Sequence, residues 1–177
     1  MRVLKAPLKG EDIESLQVGE QVFLEGIIYA ARDAAHRNMY EAILNGTGLP
    51  LDLEGQIIYY AGPSPAPPGK IIGSAGPTTS GRMDMYTPAL LAKGLKCMVG
   101  KGSRDDIVIE AIKEHKAVYL VTIGGAGAYL AQRIVAVQTV AYEELGPEAI
   151  LRLEVKDFPC IVAIDAAGNN IFKDNFF

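Results

Sequence analysis

The sequence predicts an α/β domain built on a central, largely parallel sheet, with an additional β-layer. Strand-like apolar segments alternate with helical segments between residues 56 and about 140, and this alternation is typical of parallel strands joined by helical crossovers. The segments before and after that region are richer in strand, which indicates the additional layer. Hydrophobic residues make up 49% of the 177 residues and charged residues 21%, so the chain can bury a globular core.

The N-terminal part of the chain is predicted to contain an arm, a strand and a helix. Residues 1–20 form the arm, which includes a short helical or turn segment, and residues 21–177 form a single domain. The β-branched and apolar run at 21–30 predicts a strand. A helix follows to about Leu44, where a turn that contains asparagine and glycine ends it.

The rest of the chain alternates between short strands and helices. Strands are predicted at 56–62 and 71–76, on either side of a stiff, proline-rich surface loop. Thr87 as N-cap and Pro88 in the first turn predict the start of a helix. The remaining predicted elements are a strand at 96–99, a helix from about 103 to 115, a strand at 117–123, a helix at 128–134 and strands at 135–142, 151–155 and 160–164.

Composition and motifs exclude several functional classes. The net charge of -4, without a Lys/Arg run, argues against binding to nucleic acid or to an anionic membrane. No apolar run reaches the roughly 18 residues of a membrane span, and the N-terminus lacks an apolar signal segment, so we expect a cytoplasmic location. Two cysteines and two histidines without zinc-like spacing predict no metal site in this chain. The turn at 124–127 lacks the third glycine of a dinucleotide fingerprint, and no P-loop pattern occurs.

Three loops that follow predicted strands carry a cation among small residues. They contain Arg32, Arg82 and Lys101. In an open α/β sheet, ligands bind beyond the carboxyl ends of the strands, where helix N-termini also present free N–H groups. We therefore expect the three cations to converge on a small polyanion. Each residue of these loops also has an ordinary structural explanation, as a surface charge, a helix cap or a buried histidine.

A resemblance strengthens the hypothesis of an anion site. The run GPTTSGRMDMYTP at 76–88, together with GKG at 100–102 and RDAAH at 32–36, resembles the signature of the β subunit, or C-terminal domain, of class I iron–sulfur-dependent fumarate hydratases. The related L-tartrate dehydratase β subunits share it. The order and spacing of all three motifs agree, and the resemblance extends over the whole chain. Met85 stands where members of the family often have proline.

The resemblance implies a fold, an activity and a partner. Such proteins have a swivelling β/β/α-type domain and catalyse the reversible hydration of fumarate to malate. The family's [4Fe–4S] cluster is held by three cysteines of the α part, so the cofactor belongs to a partner α subunit. The expected assembly is an αβ heterodimer or heterotetramer that binds a small dicarboxylate and is active only when both subunits are present.

The resemblance also implies roles for residues at matching positions. Thr78 is the expected catalytic base, and cations anchor the substrate's carboxylates. The expected catalytic residues are Thr78, Arg82 and Asp84, and the expected substrate-binding residues are Arg32, His36, Thr79, Ser80 and Lys101. Asp84 and His36 are expected to orient the arginines or to relay protons.

Alternative functions remain open from the sequence. L-tartrate or a methyl-substituted fumarate also offers two carboxylates, and one hydroxyl or methyl changes affinity by only about 1–3 kcal/mol in an apolar pocket. The same three loops also suit a non-catalytic domain that binds a small anion. A third hypothesis is a structural subunit that only shapes the partner's cluster site.

Overall fold

The computed structural model describes residues 2–173 and has an α/β fold. It contains one sheet of parallel and antiparallel strands, with helices packed against it. The strands are β1 (Arg2–Lys5), β2 (Gln21–Ala30), β3 (Ile57–Tyr59), β4 (Cys97–Gly100), β5 (Val118–Val121), β6 (Ile134–Ala141) and β7 (Ile150–Ile164). The helices are α1 (Gly10–Glu14), α2 (Asp33–Leu44), α3 (Thr87–Ala92), α4 (Asp106–His115) and α5 (Gly127–Ala131), with 3₁₀ segments at Ser80–Met83 and Glu143–Glu148. In this part of the chain, none of the helices has the length and apolar character that a bilayer crossing requires.

The sheet closes on itself into a barrel-like arrangement. Strands β1 to β5 run parallel to one another, which confirms the largely parallel centre of the predicted α/β fold. The fifteen-residue β7 is antiparallel to β2 on one side and to β6 and β5 on the other, so the ring β2–β3–β4–β5–β7 is complete. The strands expected to form an additional layer therefore belong to this same sheet, because the long β2 and β7 pair with each other.

One predicted strand is absent, and two others form one continuous strand. Residues 71–76 are not a strand, because they fold back on the proline-rich loop: Ser64 N donates to Ser74 O at 3.0 Å and Ala75 N to Gly127 O at 3.1 Å. The two strands predicted at 151–155 and 160–164 are one continuous strand, β7, which crosses the whole barrel.

Smaller differences concern helix starts and the N-terminus. Thr87 is the first residue of α3 rather than its N-cap, and its hydroxyl donates to the carbonyl oxygen of Met83 at 2.9 Å. Pro88 lies in the first turn, as predicted. Within the predicted N-terminal arm, β1 pairs in parallel with the first half of β2, so these residues extend the sheet.

The sheet buries apolar side chains on both faces, as expected for parallel strands. In β3, Ile57 and Tyr59 belong to a core cluster to which all five ring strands contribute, and Ile58 belongs to a second cluster on the other face. The second cluster includes Met39 of α2 and Ile112 of α4. Helices α2, α3 and α4 therefore cover one face of the ring, whereas α1 and α5 contribute Ile13 and Leu130 to the first cluster, and the strand ends carry the loops.

Both cysteines belong to the first of these clusters, the one that contains Ile57 and Tyr59, and their burial there predicts their reactivity. Cys97 and Cys160 are buried free thiols, and burial raises the pKa of each. Since the thiolate is the reactive form, neither cysteine is expected to react with a disulfide reagent such as DTNB in the native protein at pH 8. Both are expected to react once urea unfolds it. Rapid labelling of either thiol under native conditions would contradict this placement.

Candidate active site

The carboxyl ends of four parallel strands meet at one edge of the sheet. The strand register pairs Ala30 with Tyr59, Tyr59 with Val99, and Gly100 with Val121, so the loops that follow these strands start side by side. The long loop after β3 returns to the same edge, where Thr78 N donates to Tyr60 O at 2.7 Å. We call the group formed by Arg32, Thr78 to Arg82 and Lys101 the site edge. The structure thus brings together the three loops that the sequence singled out.

Two cations of the site edge have no partner for their side chains within residues 2–173. Arg32 lies against Gly62, where a β-carbon would overlap its guanidinium group, and its Nε is buried without a hydrogen bond. Lys101 passes close to Gly124, where an added β-carbon would lie 3.4 Å from its Cδ. A buried N–H without an acceptor is unfavourable, so the arrangement favours an incoming anion.

Arg82 is the third cation of the site edge, and it is already paired. Its guanidinium donates to Asp33 Oδ2, which links the loop after β3 to the start of α2. The Arg82 side chain is 50% exposed and that of Asp33 is 33% exposed. Exposed ion pairs contribute only about 0–1 kcal/mol, so a ligand carboxylate can compete with Asp33 for this guanidinium.

Thr78 and Thr79 lie between these cations. Thr78 is partly exposed, and its hydroxyl makes no hydrogen bond within the described residues, although its amide is held by Tyr60. Thr79 is exposed and forms an isolated parallel β-bridge with Lys101, which joins the two loops. The Thr78 hydroxyl is therefore free to contact a ligand.

The side chains of Ser80, within the site edge, and of Asp84, just after it, point into the protein. Ser80 is buried, its Oγ accepts from Lys101 N at 3.1 Å, and the Tyr119 hydroxyl lies 2.8 Å from it. Asp84 Oδ1 accepts from Arg104 Nε at 2.6 Å and Oδ2 from Asp105 N at 2.8 Å. Protein partners thus occupy the polar side-chain atoms of both residues, which places these residues to support the loops.

Arg104 is a residue of this region that the sequence did not single out. Its side chain is 0% exposed, and Nη2 donates to Tyr60 Oη at 3.2 Å and to Thr87 Oγ1 at 3.0 Å. Its guanidinium carbon lies 5.2 Å and 4.8 Å from the ring centres of Tyr60 and Tyr119. Burial alone would lower the pKa of Arg104, but the facing tyrosines and Asp84 outweigh it and raise the pKa.

His36 is buried beneath Arg32. Its Nδ1 lies 2.8 Å from the Arg32 carbonyl oxygen, which can only accept, so Nδ1 carries the proton. The ring packs edge-on against Tyr60 with centroids 5.3 Å apart. Burial, reinforced by the charge of Arg104, lowers the pKa of His36 to about 4, so the ring is neutral at pH 7. The structure therefore places His36 to hold the backbone that carries Arg32.

The buried His36 predicts a pH dependence of stability. Its pKa rises from about 4 in the folded protein to the ordinary 6.5 in the unfolded chain, so the unfolded state binds more protons between these values. The free energy of unfolding is therefore expected to fall as the pH drops through this window, by about 2 kcal/mol at pH 5. Urea unfolding at pH 7 and pH 5, compared between the wild type and His36→Asn, isolates this effect. An equal loss in both proteins would contradict it.

Residues 2–173 contain no group of three or more His, Cys, Asp or Glu side chains that could hold a metal ion. An iron–sulfur cluster is held chiefly by cysteine thiolates, and the only two cysteines, Cys97 and Cys160, are both buried in the core. A [4Fe–4S] cluster therefore does not fit the described residues of this chain.

Comparison with known proteins agrees with the motifs. Residues 2–175 match the family model described as Fumarase C-terminus. The class I aerobic fumarate hydratase of Escherichia coli K12 is 42% identical over 174 residues, which cover 96% of this chain and 32% of that protein. Fumarate hydratase 2 of Leishmania major is 40% identical over 174 residues, which cover 96% of this chain and 31% of that protein.

A shorter relative is matched over most of its own length. The putative L(+)-tartrate dehydratase subunit beta of Methanocaldococcus jannaschii is 39% identical over 173 residues, which cover 94% of this chain and 89% of that protein. The chain thus spans about a third of the fumarate hydratases that it matches and most of this β subunit.

Proposed function

The chain belongs to the Fumarase C-terminus family, and we propose that it is the β subunit of a [4Fe–4S]-dependent hydro-lyase that reversibly hydrates fumarate to malate. One observation carries the proposal: the free hydroxyl of Thr78 lies at the site edge together with Arg32 and Lys101. The side chains of these two cations have no partner within residues 2–173. A dicarboxylate needs at least two such anchors.

The proposed roles follow from which groups are free. Arg32 and Lys101 bind substrate carboxylates without breaking an existing contact. Arg82 also binds a substrate carboxylate, but its ion pair with Asp33 must break first. In the dehydration direction, Thr78 Oγ1 acts in its deprotonated form and takes the proton from the carbon beside a carboxylate, which gives the threonine hydroxyl. The electron pair left on that carbon forms the double bond as the C–O bond of the neighbouring carbon breaks. The departing hydroxide becomes water with a proton from solvent, and Thr78 returns its proton to solvent before the next turnover. The neighbouring cations favour the alkoxide and stabilise the negative charge that develops on the substrate. Thr79 contacts the substrate from the same loop.

The other three candidate residues are proposed to position these groups. Ser80 and Asp84 have their polar side-chain atoms occupied by protein partners, and the neutral ring of His36 supports the Arg32 backbone. Asp84 therefore acts through Arg104 and Asp105 rather than on the substrate.

The exposure of the site edge supports a partner. Thr79 and Arg82 of the site edge are exposed, and so are Gly102 and Ser103 next to it, whereas stabilisation of developing charge needs a site from which bulk water is excluded. We propose that an α subunit, which also holds the cluster, closes over this edge as the swivelling domain meets it. The proposed assembly is a cytoplasmic αβ heterodimer or heterotetramer.

The proposal is tested by anaerobic co-expression with a cysteine-bearing α subunit of a class I hydro-lyase. The pair is expected to hydrate fumarate, and neither subunit is expected to do so alone. Iron-free activity of this chain alone would contradict the proposal, and so would a correctly assembled pair without hydratase activity.

L-tartrate dehydration is the second candidate, because the Methanocaldococcus relative named as a tartrate dehydratase β subunit is matched over 89% of its length. The same pair is therefore assayed with fumarate, L-tartrate and methylfumarate, and the highest kcat/KM identifies the substrate. Binding of all three without turnover would instead support a non-catalytic anion-binding domain.

A further inference from the structure

We propose that Arg104 is a positioning residue that fixes the Thr78 loop to the Lys101 loop; the catalytic part of this inference rests on the proposed function. The Arg104 side chain is fully buried, so it touches no substrate. It acts through the residues that it holds.

The contacts of Arg104 come from separate elements of the fold. Its Nε donates to Asp84 at 2.6 Å, in the loop that carries Thr78, and its Nη2 donates to Thr87 of α3 at 3.0 Å and to Tyr60 after β3 at 3.2 Å. The ring of Tyr119 on β5 packs against the same guanidinium. Arg104 itself lies between Lys101 and α4, so one side chain connects both loops to the sheet.

The two loops are also joined directly, next to the reactive groups. Ser80 N donates to Lys101 O at 2.9 Å, and Lys101 N donates to Ser80 Oγ at 3.1 Å. The second oxygen of Asp84 accepts from the amide of Asp105. Thr78 and Lys101 thus project from a pair of loops whose buried sides are tied together.

The geometry requires an arginine. A guanidinium is planar and presents several N–H groups in fixed directions, so it serves Asp84, Thr87 and Tyr60 at once while lying between two rings. A lysine keeps the charge but donates from a single flexible point, and it leaves some of these buried acceptors unsatisfied. Arg104→Lys is therefore expected to loosen the loops without removing the charge.

The test uses the αβ complex and a double-mutant cycle. Arg104→Lys and Asp84→Asn are each expected to lower kcat at least about tenfold, and the double variant is expected to lose little more, because both act through one contact. The matched control is Arg133→Lys, since Arg133 also stacks on a tyrosine, Tyr129, but lies outside this cluster. A kcat and KM of Arg104→Lys within about twofold of the wild type, or fully additive losses, would overturn the inference.

Hydrogen exchange separates this inference from the proposed function. In Arg104→Lys, the amides of residues 78–86 and 100–105 are expected to exchange at least about tenfold faster, with other segments unchanged. This result together with a wild-type complex that hydrates no substrate would reject the function and retain the structural role of Arg104. Faster exchange throughout the chain would reject the positioning role. If Arg104→Lys does not fold, Thr87→Val removes a single acceptor, and the same local pattern at lower amplitude is expected.

Discussion

A Thr78→Ala variant, assembled with its α partner, is expected to lose about 10²–10⁴-fold in kcat for fumarate hydration, the usual contribution of a positioned group that transfers a proton. Its KM is expected to change far less, because the carboxylate anchors Arg32 and Lys101 remain. The fold should persist, since the Thr78 contact that the protein uses is its backbone N–H, which donates to Tyr60 O at 2.7 Å. The measurement is steady-state kinetics on complexes whose stoichiometry and iron content match the wild type.

Two further variants sharpen this test. Thr78→Ser keeps a hydroxyl at the same position and is expected to recover most of the lost turnover. Thr139→Ala, at an exposed position of β6, makes the same deletion outside the site edge and is expected to leave kcat unchanged. A Thr78→Ala complex with wild-type turnover would remove Thr78 from the chemistry.

Elements defined by neighbouring residues were predictable from the sequence. The strand at 21–30 coincides with β2, and the helix ending at Leu44 coincides with α2, because a continuous apolar or helical pattern and a terminal turn define each of them. Residues 71–76 have the composition of a strand, yet their hydrogen-bond partners are Ser64 and Gly127. The sequence pattern of residues 71–76 does not reveal these hydrogen-bond partners.

Closure of the sheet was not predictable for a related reason. The ring depends on antiparallel pairing of β2 with β7, which places Gln21 beside Ile161. Alternation of strands and helices predicts parallel neighbours, but it does not reveal which distant strand will close the edge. The C-terminal strands were therefore expected in a separate layer.

In the candidate site, too, features that depend on neighbouring residues were predictable, whereas contacts between distant residues were not. The three cationic loops were predicted together because each follows a parallel strand. Side-chain direction within the tight turn after Thr79 was not predictable, and there Ser80 points inward while Arg82 points outward. Arg104 was missed because its partners lie on separate elements that only the fold brings together.

The other large effect is expected at Arg32. Arg32→Met in the αβ complex should raise the KM for fumarate by about 30- to 100-fold, the loss expected when a charged hydrogen bond to a carboxylate is removed. Arg82→Met should raise the KM less, by about tenfold, because in the free protein Arg82 already pairs with Asp33. Binding of the substrate must break this pair, so Arg82 contributes less net binding energy. The order of the two effects follows directly from which guanidinium is unpaired.

The backbone at Arg32 is secured independently of its side chain, which makes the variant interpretable. The Arg32 carbonyl accepts from His36 N at 2.9 Å and from His36 Nδ1 at 2.8 Å, and neither bond needs the guanidinium. Arg37→Met, at an exposed position of α2 five residues after Arg32, removes the same charge close to the N-terminus of this helix and should leave KM unchanged. Equal rises in KM for Arg32→Met and Arg37→Met would mean that the substrate senses only the overall charge of this face, and Arg32 would not be an anchor.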